Sequence, residues 1–393
     1  MPEQAIKDKT AIAGIGWTAF TRGSGVRTLT LAAEASLNAV ADAGLEVQHI
    51  DGIVSYFHKR PESQEVRELT QMLGIKNCNF QLYSDGGGGW NCAAVLSAAM
   101  LVHSGVCKNV LVFKAQNRYS EGRAARAERV HDVSGPDQFT MPFGQHHAAA
   151  QFGPHATAHM ARYGTTSLDF AHLAVTERSH AMLNQKAMMR KPMTVADHQA
   201  SRWIIYPFRL FDCCQETDGA VALVVTSAER ARDLKHAPVY IMAGVGGTSQ
   251  TAGWWETNGI NTAPQLYEGA GIAPRDVSIA EIYDPFTFMC MTHLEDLGVV
   301  PKGEIGPWIR AGNNRLDGSL PVNTHGGLLS EGHIAGLNHF IEAVQQLRPE
   351  GVVDDLCEGT HTYDRATCRQ VRDPQIALLC GECVDSAMLL RKA

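Results

Sequence analysis

One pattern is written twice in this chain. An apolar run closing on glycines, Ala11-Ile-Ala-Gly-Ile-Gly16, returns as Tyr240-Ile-Met-Ala-Gly-Val-Gly-Gly247, and the spacing to the next strand-like run is 39 residues both times, Ala11 to Ile50 and Tyr240 to Ile279. Ile50-Asp-Gly-Ile-Val-Ser-Tyr56 is answered by Ile279-Ala-Glu-Ile-Tyr-Asp-Pro-Phe286. The glycines Gly86 to Gly89, with an alanine-rich helical pattern ending at Gly105, are answered by Gly326-Gly327 and a helical pattern running to Leu347. Asn109-Val-Leu-Val-Phe113 is answered by Ile376-Ala-Leu-Leu-Cys380. The chain is therefore an internal duplication. Each copy alternates strands with helices, which predicts an α/β fold of two halves, each a mainly parallel sheet with right-handed crossovers.

The duplication sets the expected boundaries. Residues 1–117 and 206–226 form the first half, with Thr28 to Ala43 as a helix stopped by Gly44 and Thr217 to Thr226 as its closing strand. Residues 239–393 form the second half, and 227–238 join the two. Residues 118–205 have no counterpart and read as an insert. It carries His146, His147, His155, His159, His172, His180 and His198. His155 and His159 have helical ligand spacing, but no HExxH arrangement or carboxylate cluster accompanies them, so a partly exposed helical surface is expected rather than a metal site. Long insertions on a rigid scaffold often cover a substrate, and a lid or an oligomer contact is the expectation here.

Chemistry concentrates between Ser319 and Phe340. Gly326 and Gly327 allow close backbone approach, and a helix starting beyond them would aim N–H groups and its positive dipole end at an anion or a developing oxyanion. His333 exchanges a proton near neutral pH. A plain tight turn with a surface histidine fits the same residues.

Composition narrows the class. With 393 residues, 45% hydrophobic and 19% charged, the chain reads as globular. A formal net charge of −7 and the lack of a Lys/Arg block argue against nucleic acid. No apolar run approaches the ~20 residues of a membrane span, so a cytoplasmic protein is expected. The ten cysteines sit largely in apolar runs and read as reduced, buried hydrophobes, and a single Cys380-Gly-Glu-Cys383 is weak support for zinc or redox chemistry. Gly14-Ile-Gly16 lacks the third glycine of a dinucleotide site.

Two tandem halves with glycine turns aimed at a shared centre resemble the thiolase superfamily over nearly the whole chain. Glu281-Ile-Tyr-Asp-Pro-Phe-Thr287, Leu294-Glu-Asp-Leu-Gly298, Leu320-Pro-Val-Asn-Thr-His-Gly-Gly327 and Ser330-Glu-Gly-His-Ile-Ala-Gly336 are similar to the sterol-carrier-protein-X branch and its lipid-transfer relatives, where the Gly-His motif supplies the active-site histidine. His333 falls on it. The position of the family's nucleophilic cysteine is occupied by Gly88; Cys92 lies one turn further, on the core side of the helix. Val112 to Arg118, Arg190 to Trp203 and Phe211 to Gly219 resemble the thiolase-like aldolases of steroid side-chain degradation. That resemblance implies retro-aldol cleavage of a β-hydroxyacyl-CoA, with coenzyme A arriving as part of the substrate and no tightly bound cofactor. It also implies a homodimer and a small partner of OB-fold and zinc-ribbon type. Acid/base tyrosines are expected at two positions: one is Tyr283, and the other is His333 here.

Retro-aldol cleavage needs a base for the β-hydroxyl proton and donors for the enolate, but no nucleophile. His333 and Tyr283 are the candidate acid/base pair. Asn323 and the backbone N–H groups near Gly88, Gly326 and Gly327 are the candidate oxyanion donors. Asp284 reads as a strand-end hydrogen-bond partner. Arg118, Arg123, Arg126, Arg202 and Arg209 are possible contacts for coenzyme A phosphates, and no motif selects among them. Two other readings stay open: an acyltransferase using Cys92 or Cys380, and a non-catalytic acyl-CoA or lipid carrier.

Overall fold

The computed structural model describes residues 4–57, 66–120, 133–247, 253, 255–354, 357–358 and 363–393. Arg123 and Arg126 lie outside them. The first half contributes β1 (Thr10–Trp17), α1 (Thr28–Asp42), β2 (Gly52–Phe57), β3 (Phe80–Asp85), α2 (Asn91–His103) and β4 (Asn109–Asn117). The insert carries α3 (Ala148–Tyr163) and α4 (Ser167–Met182), and β5 (Asp218–Ser227) closes the half. The second half runs through β6 (Val239–Gly246), α5 (Gly259–Ala270), β7 (Ile279–Glu281), α6 (Thr287–Asp296), α7 (Gly327–Ser330), α8 (Leu337–Leu347), β8 (Ile376–Cys380) and β9 (Ser386–Arg391).

These nine strands form one sheet in the order β3-β2-β4-β5-β1-β6-β9-β8-β7. The duplication is visible strand by strand. In the first half β1 to β4 point the same way and β5 runs against β4 and β1; in the second, β6, β7 and β8 agree and β9 runs against its neighbours. Most strands of each half are thus parallel in direction, and the closing strand supplies the antiparallel pairings. For β9 the cause is local, since only Gly381 to Asp385 separate it from β8, enough for a hairpin but not a crossover. A parallel bridge from Ala280 to Val322 stands where β3 stands in the first half. One expectation is corrected: the halves do not keep separate sheets, because β1 and β6 pair at Ala11 with Tyr240 and Ile12 with Val239.

Alternation along the strands builds the layers. Val110 and Val112 of β4 face a central layer made by α2 and α8, which also takes Ile241, Leu379 and Met388 from the second half. Leu111 and Phe113 face the other way, against α1. The second half packs α5 and α6 on its own outer face, and Phe152 and Phe170 of the insert join that cluster through Phe208, Phe286 and Phe288. Gly14 and Gly16 serve packing, since a Cβ on either would lie 2.2 to 2.3 Å from carbonyl oxygens of α1.

The insert histidines divide by burial. His159 is buried and bonds Glu295 at 2.8 Å and Thr165 at 3.0 Å; His180 bonds the Asn323 carbonyl at 3.1 Å; His198 meets Asp212 at 2.8 Å. These three tie the insert to the second half and to the segment before β5, while His146 and His147 are exposed. No helix among the described residues is long and apolar enough to cross a membrane. Cys78, Cys92, Cys107, Cys213, Cys214, Cys290, Cys380 and Cys383 are free thiols, but Cys368 is disulfide-bonded, a departure from the all-reduced expectation.

Candidate active site

Tyr283 follows β7 where the chain leaves the sheet, and Pro285 turns it toward α6. The strand expected to continue to Phe286 ends at Glu281, because Ile282 to Phe286 are used to present this side chain. Tyr283 Oη lies 3.0 Å from His333 Nε2, with the rings edge-on at 74°. The two candidate acid/base residues are therefore joined by a hydrogen bond. His333 does not stand at the mouth of one long helix. The helical pattern through Leu347 is broken into α7 and α8 by Glu331 to Gly336, where Ala335 (φ 47°) and Gly336 (φ 81°) adopt left-handed backbone. The His333 amide donates to Thr217 Oγ1 at 3.0 Å and its carbonyl accepts from Gln116.

Gly88 sits directly against this pair. A Cβ built there would lie 1.9 Å from Tyr283 Oη and 2.3 Å from the ring carbon that bears it, an impossible contact. The tyrosine hydroxyl fills the space into which a side chain at residue 88 would project. Gly336 also packs against the ring, where a Cβ would fall 2.6 Å from it.

The glycines of the 326–327 turn have different work. A Cβ on Gly326 would meet Ala181 of α4 at 2.5 Å, and one on Gly327 would meet Asp284 Oδ2 at 2.2 Å. The amide of Gly326 donates to the Asn323 carbonyl at 2.8 Å, and those of Leu328 and Leu329 donate to Asp284 at 2.8 and 3.1 Å. The N-terminal amides of α7 thus already have a protein carboxylate. Asn323 is fully buried, and its Nδ2 donates to Glu177 Oε1 at 2.9 Å and the Ile282 carbonyl at 3.0 Å while its Oδ1 accepts from the Ile282 amide at 2.7 Å. Both amide hydrogens are committed inside the fold, which leaves none for the oxyanion role expected of it. Asp284 is the hydrogen-bond partner the sequence suggested.

Charge is arranged around the tyrosine. Burial pushes its phenol well above the ordinary value, and Glu382, Cys214 and Tyr56 add to that while Arg118 opposes it. Glu382 itself is raised to about 7 by burial and by Asp385, with Arg118 again opposing. Arg118, at the end of β4, is the coenzyme A candidate whose charge is felt here. Beneath lie two facing carboxyls: burial and then Asp284 push Glu177 well up, and burial raises Asp284 to about 7 against hydrogen bonds from Glu177, Leu328 and Leu329. Deeper still, burial opposes the charge of His325, yet Glu331 and Glu281 hold it up to about 9; burial, then His325 and His333, keep His339 neutral. Donor atoms of Glu281, His325 and His339 lie within 4.8 Å of one another, although His325 and Glu281 are already ion-paired at 2.9 Å. Sequence reasoning passed over Glu177, Glu382 and this buried group. Glu382 was readable only as the filler of a CxxC, and Glu177 sits in an otherwise ordinary helix.

Neither Cys92 nor Cys380 has the setting of a nucleophile. Cys92 is fully buried on α2 and burial raises it well above the ordinary range; Cys380 is also fully buried and is pushed up to about 12. The Cys380 thiol lies 3.8 Å from His293 Nδ1, but burial lowers that imidazole to about 3. A reactive cysteine needs the opposite setting, partly exposed and electropositive.

Comparison with known proteins shows the family. Residues 246–383 match the family described as thiolase C-terminal domain-like. A steroid side-chain-cleaving aldolase from Thermomonospora curvata is 40% identical over 362 residues, 87% of this chain and 91% of that protein. A 17-hydroxy-3-oxo-4-pregnene-20-carboxyl-CoA lyase from Mycobacterium tuberculosis is 40% identical over 363 residues, covering 88% and 93%. The solved structure described as an Ltp2-ChsH2(DUF35) aldolase superposes with a TM-score of 0.87 at 36% identity, covering 99% of both chains. The chain belongs to the thiolase superfamily, and within it to the branch of acyl-CoA aldolases that cleave steroid side chains.

Proposed function

We propose that Tyr283 and His333 carry out retro-aldol cleavage of a β-hydroxyacyl-CoA derived from a steroid side chain or a comparably bulky acid. The observation that carries this reading is the hydroxyl of Tyr283, hydrogen-bonded to His333 Nε2 and filling the space over Gly88. A hydroxyl in that space replaces a nucleophile with a proton carrier.

The phenol is held neutral, so a resident phenolate is not the base. Tyr283 instead accepts the substrate hydroxyl proton as it passes its own to His333 Nε2. The electron pair of the broken O–H bond forms the C=O bond of the ketone, the Cα–Cβ bond breaks, and its electron pair moves onto the thioester as an enolate. The relayed proton then returns to the enolate carbon, which releases a shortened acyl-CoA. Backbone amides of the turn at Gly88, just before α2, are the proposed donors to the enolate oxygen; such a donor is worth about 3 kcal/mol. Asn323, Gly326 and Gly327 position the pair. Coenzyme A is bound only as part of the substrate, and Arg118 is the first candidate for holding it. A DUF35-type partner, of the kind named with the aldolase structure, completes the working enzyme, and the chain pairs as a homodimer in the cytoplasm. Co-expression with that partner, followed by mass spectrometry of ketone and acyl-CoA products, tests the reaction. Turnover is expected to fall by about 10²- to 10⁴-fold on Tyr283→Phe or His333→Ala. Full turnover in the double variant overturns the reading.

A further inference from the structure

The insert contributes more than a cover. Helix α4 carries Glu177, which meets Asn323 on one side and Asp284, the neighbour of Tyr283, on the other. Its Oε1 accepts from Asn323 Nδ2 at 2.9 Å, and that same Asn323 grips both the amide and the carbonyl of Ile282. Its Oε2 turns to Asp284, and an atom built on Gly327 would lie 2.9 Å from Glu177 Oε2 and 2.2 Å from Asp284 Oδ2. Among the described residues no donor serves Oε2, which is buried. Two carboxyls facing one another in a buried site hold a proton between them. Asp284 accepts two backbone amides, which favours its charged form, so the proton resides on Glu177.

We infer that Glu177 is a positioning residue for Tyr283: as a neutral acid it accepts from Asn323 and donates to Asp284, fixing residues 282 and 284 and hence the tyrosine between them. The inference rests on the proposed role of Tyr283. It explains why Gly327 must lack a side chain, since any Cβ there would enter the Glu177–Asp284 contact. It also assigns a job within the site to a helix that has no counterpart in the second half.

The test uses the chain assembled with its DUF35-type partner and reads kcat and KM separately. Glu177→Gln keeps one acceptor toward Asn323 and gains donors toward Asp284, so its kcat is expected to stay within about threefold of the parent. Glu177→Ala and Glu177→Asp break the span and are expected to lower kcat on the order of 10²-fold with KM little changed, as displacement of a reacting group does. Glu177→Asp, which keeps the carboxyl, decides the matter if the alanine variant does not fold. A Glu177→Gln variant as slow as Glu177→Asp overturns the inference, as does parental kcat in either shortened variant. Tyr283→Phe assayed beside them separates the two ideas. An active Tyr283→Phe removes the basis for both, whereas an inactive Tyr283→Phe with an active Glu177→Asp removes only the role of Glu177.

Discussion

At the scale of single residues, the site turns on an exclusion between Gly88 and Tyr283. A methyl group at residue 88 and the tyrosine hydroxyl cannot occupy the same 1.9 Å. Gly88→Ala is therefore expected to push Tyr283 off His333, and kcat should fall on the order of 10²-fold while the overpacked core loses about 1–3 kcal/mol. Steady-state kinetics beside urea unfolding measures both, and parental kcat in Gly88→Ala would contradict the exclusion. Half of this was legible in the sequence. The missing nucleophile showed at Gly88, and Tyr283 and His333 stood out in their motifs, but nothing in the linear order said that a residue of the second half fills the vacancy in the first. Asn323 misled for a related reason. An amide beside paired glycines has the chemistry of an oxyanion donor, yet only the fold reveals that both its hydrogens are spent on Ile282 and Glu177.

The elements show why the opening at Gly326 and Gly327 is a support rather than an anion site. Helix α7 has four residues, and Asp284 takes the amides of Leu328 and Leu329. Asp284→Ala strands those buried donors, and urea unfolding should show a loss of about 2–4 kcal/mol. Stability equal to the parent would mean that water or another group satisfies them. The apolar periodicity running from Gly327 to Leu347 made the segment look like one helix. The break lies at Glu331 to Gly336, where left-handed Ala335 and Gly336 release His333 from helical geometry. Periodicity reports which face is buried, and both helices bury theirs, so the interruption was not written in the pattern.

The whole molecule repeats the sequence's duplication almost strand for strand, and that part was the most legible because it depends on spacing rather than on any one side chain. The joining of the halves through β1 and β6 was not, since two residue pairs leave no mark in composition. Nor was the buried charge network that crosses between halves and insert. His325 faces Glu281, Glu331, Glu342 and His339, with Lys186 near Glu331, and its imidazolium is held up to about 9. A folded-state value above the unfolded ~6.5 means that the folded protein binds the extra proton. The stabilisation is thus fully present below about 6.5 and is lost as pH rises through 9, at up to about 1.4 kcal/mol per pH unit. Between pH 7 and 8 this contribution lowers the urea midpoint as pH rises, so the parent should lose more of its midpoint over that interval than His325→Gln does. The same pH dependence in His325→Gln as in the parent would contradict the charge placed on His325.

The central claim is that carbon–carbon cleavage proceeds by proton transfer through Tyr283 and His333 with no cysteine nucleophile. Turnover of a β-hydroxyacyl-CoA by the partnered protein, compared between a Cys92→Ala/Cys380→Ala double variant and Tyr283→Phe, addresses it directly. The cysteine variant should keep kcat within about threefold, and Tyr283→Phe should lose about 10²- to 10⁴-fold. Loss of turnover in the folded cysteine variant with full activity in Tyr283→Phe would contradict the account.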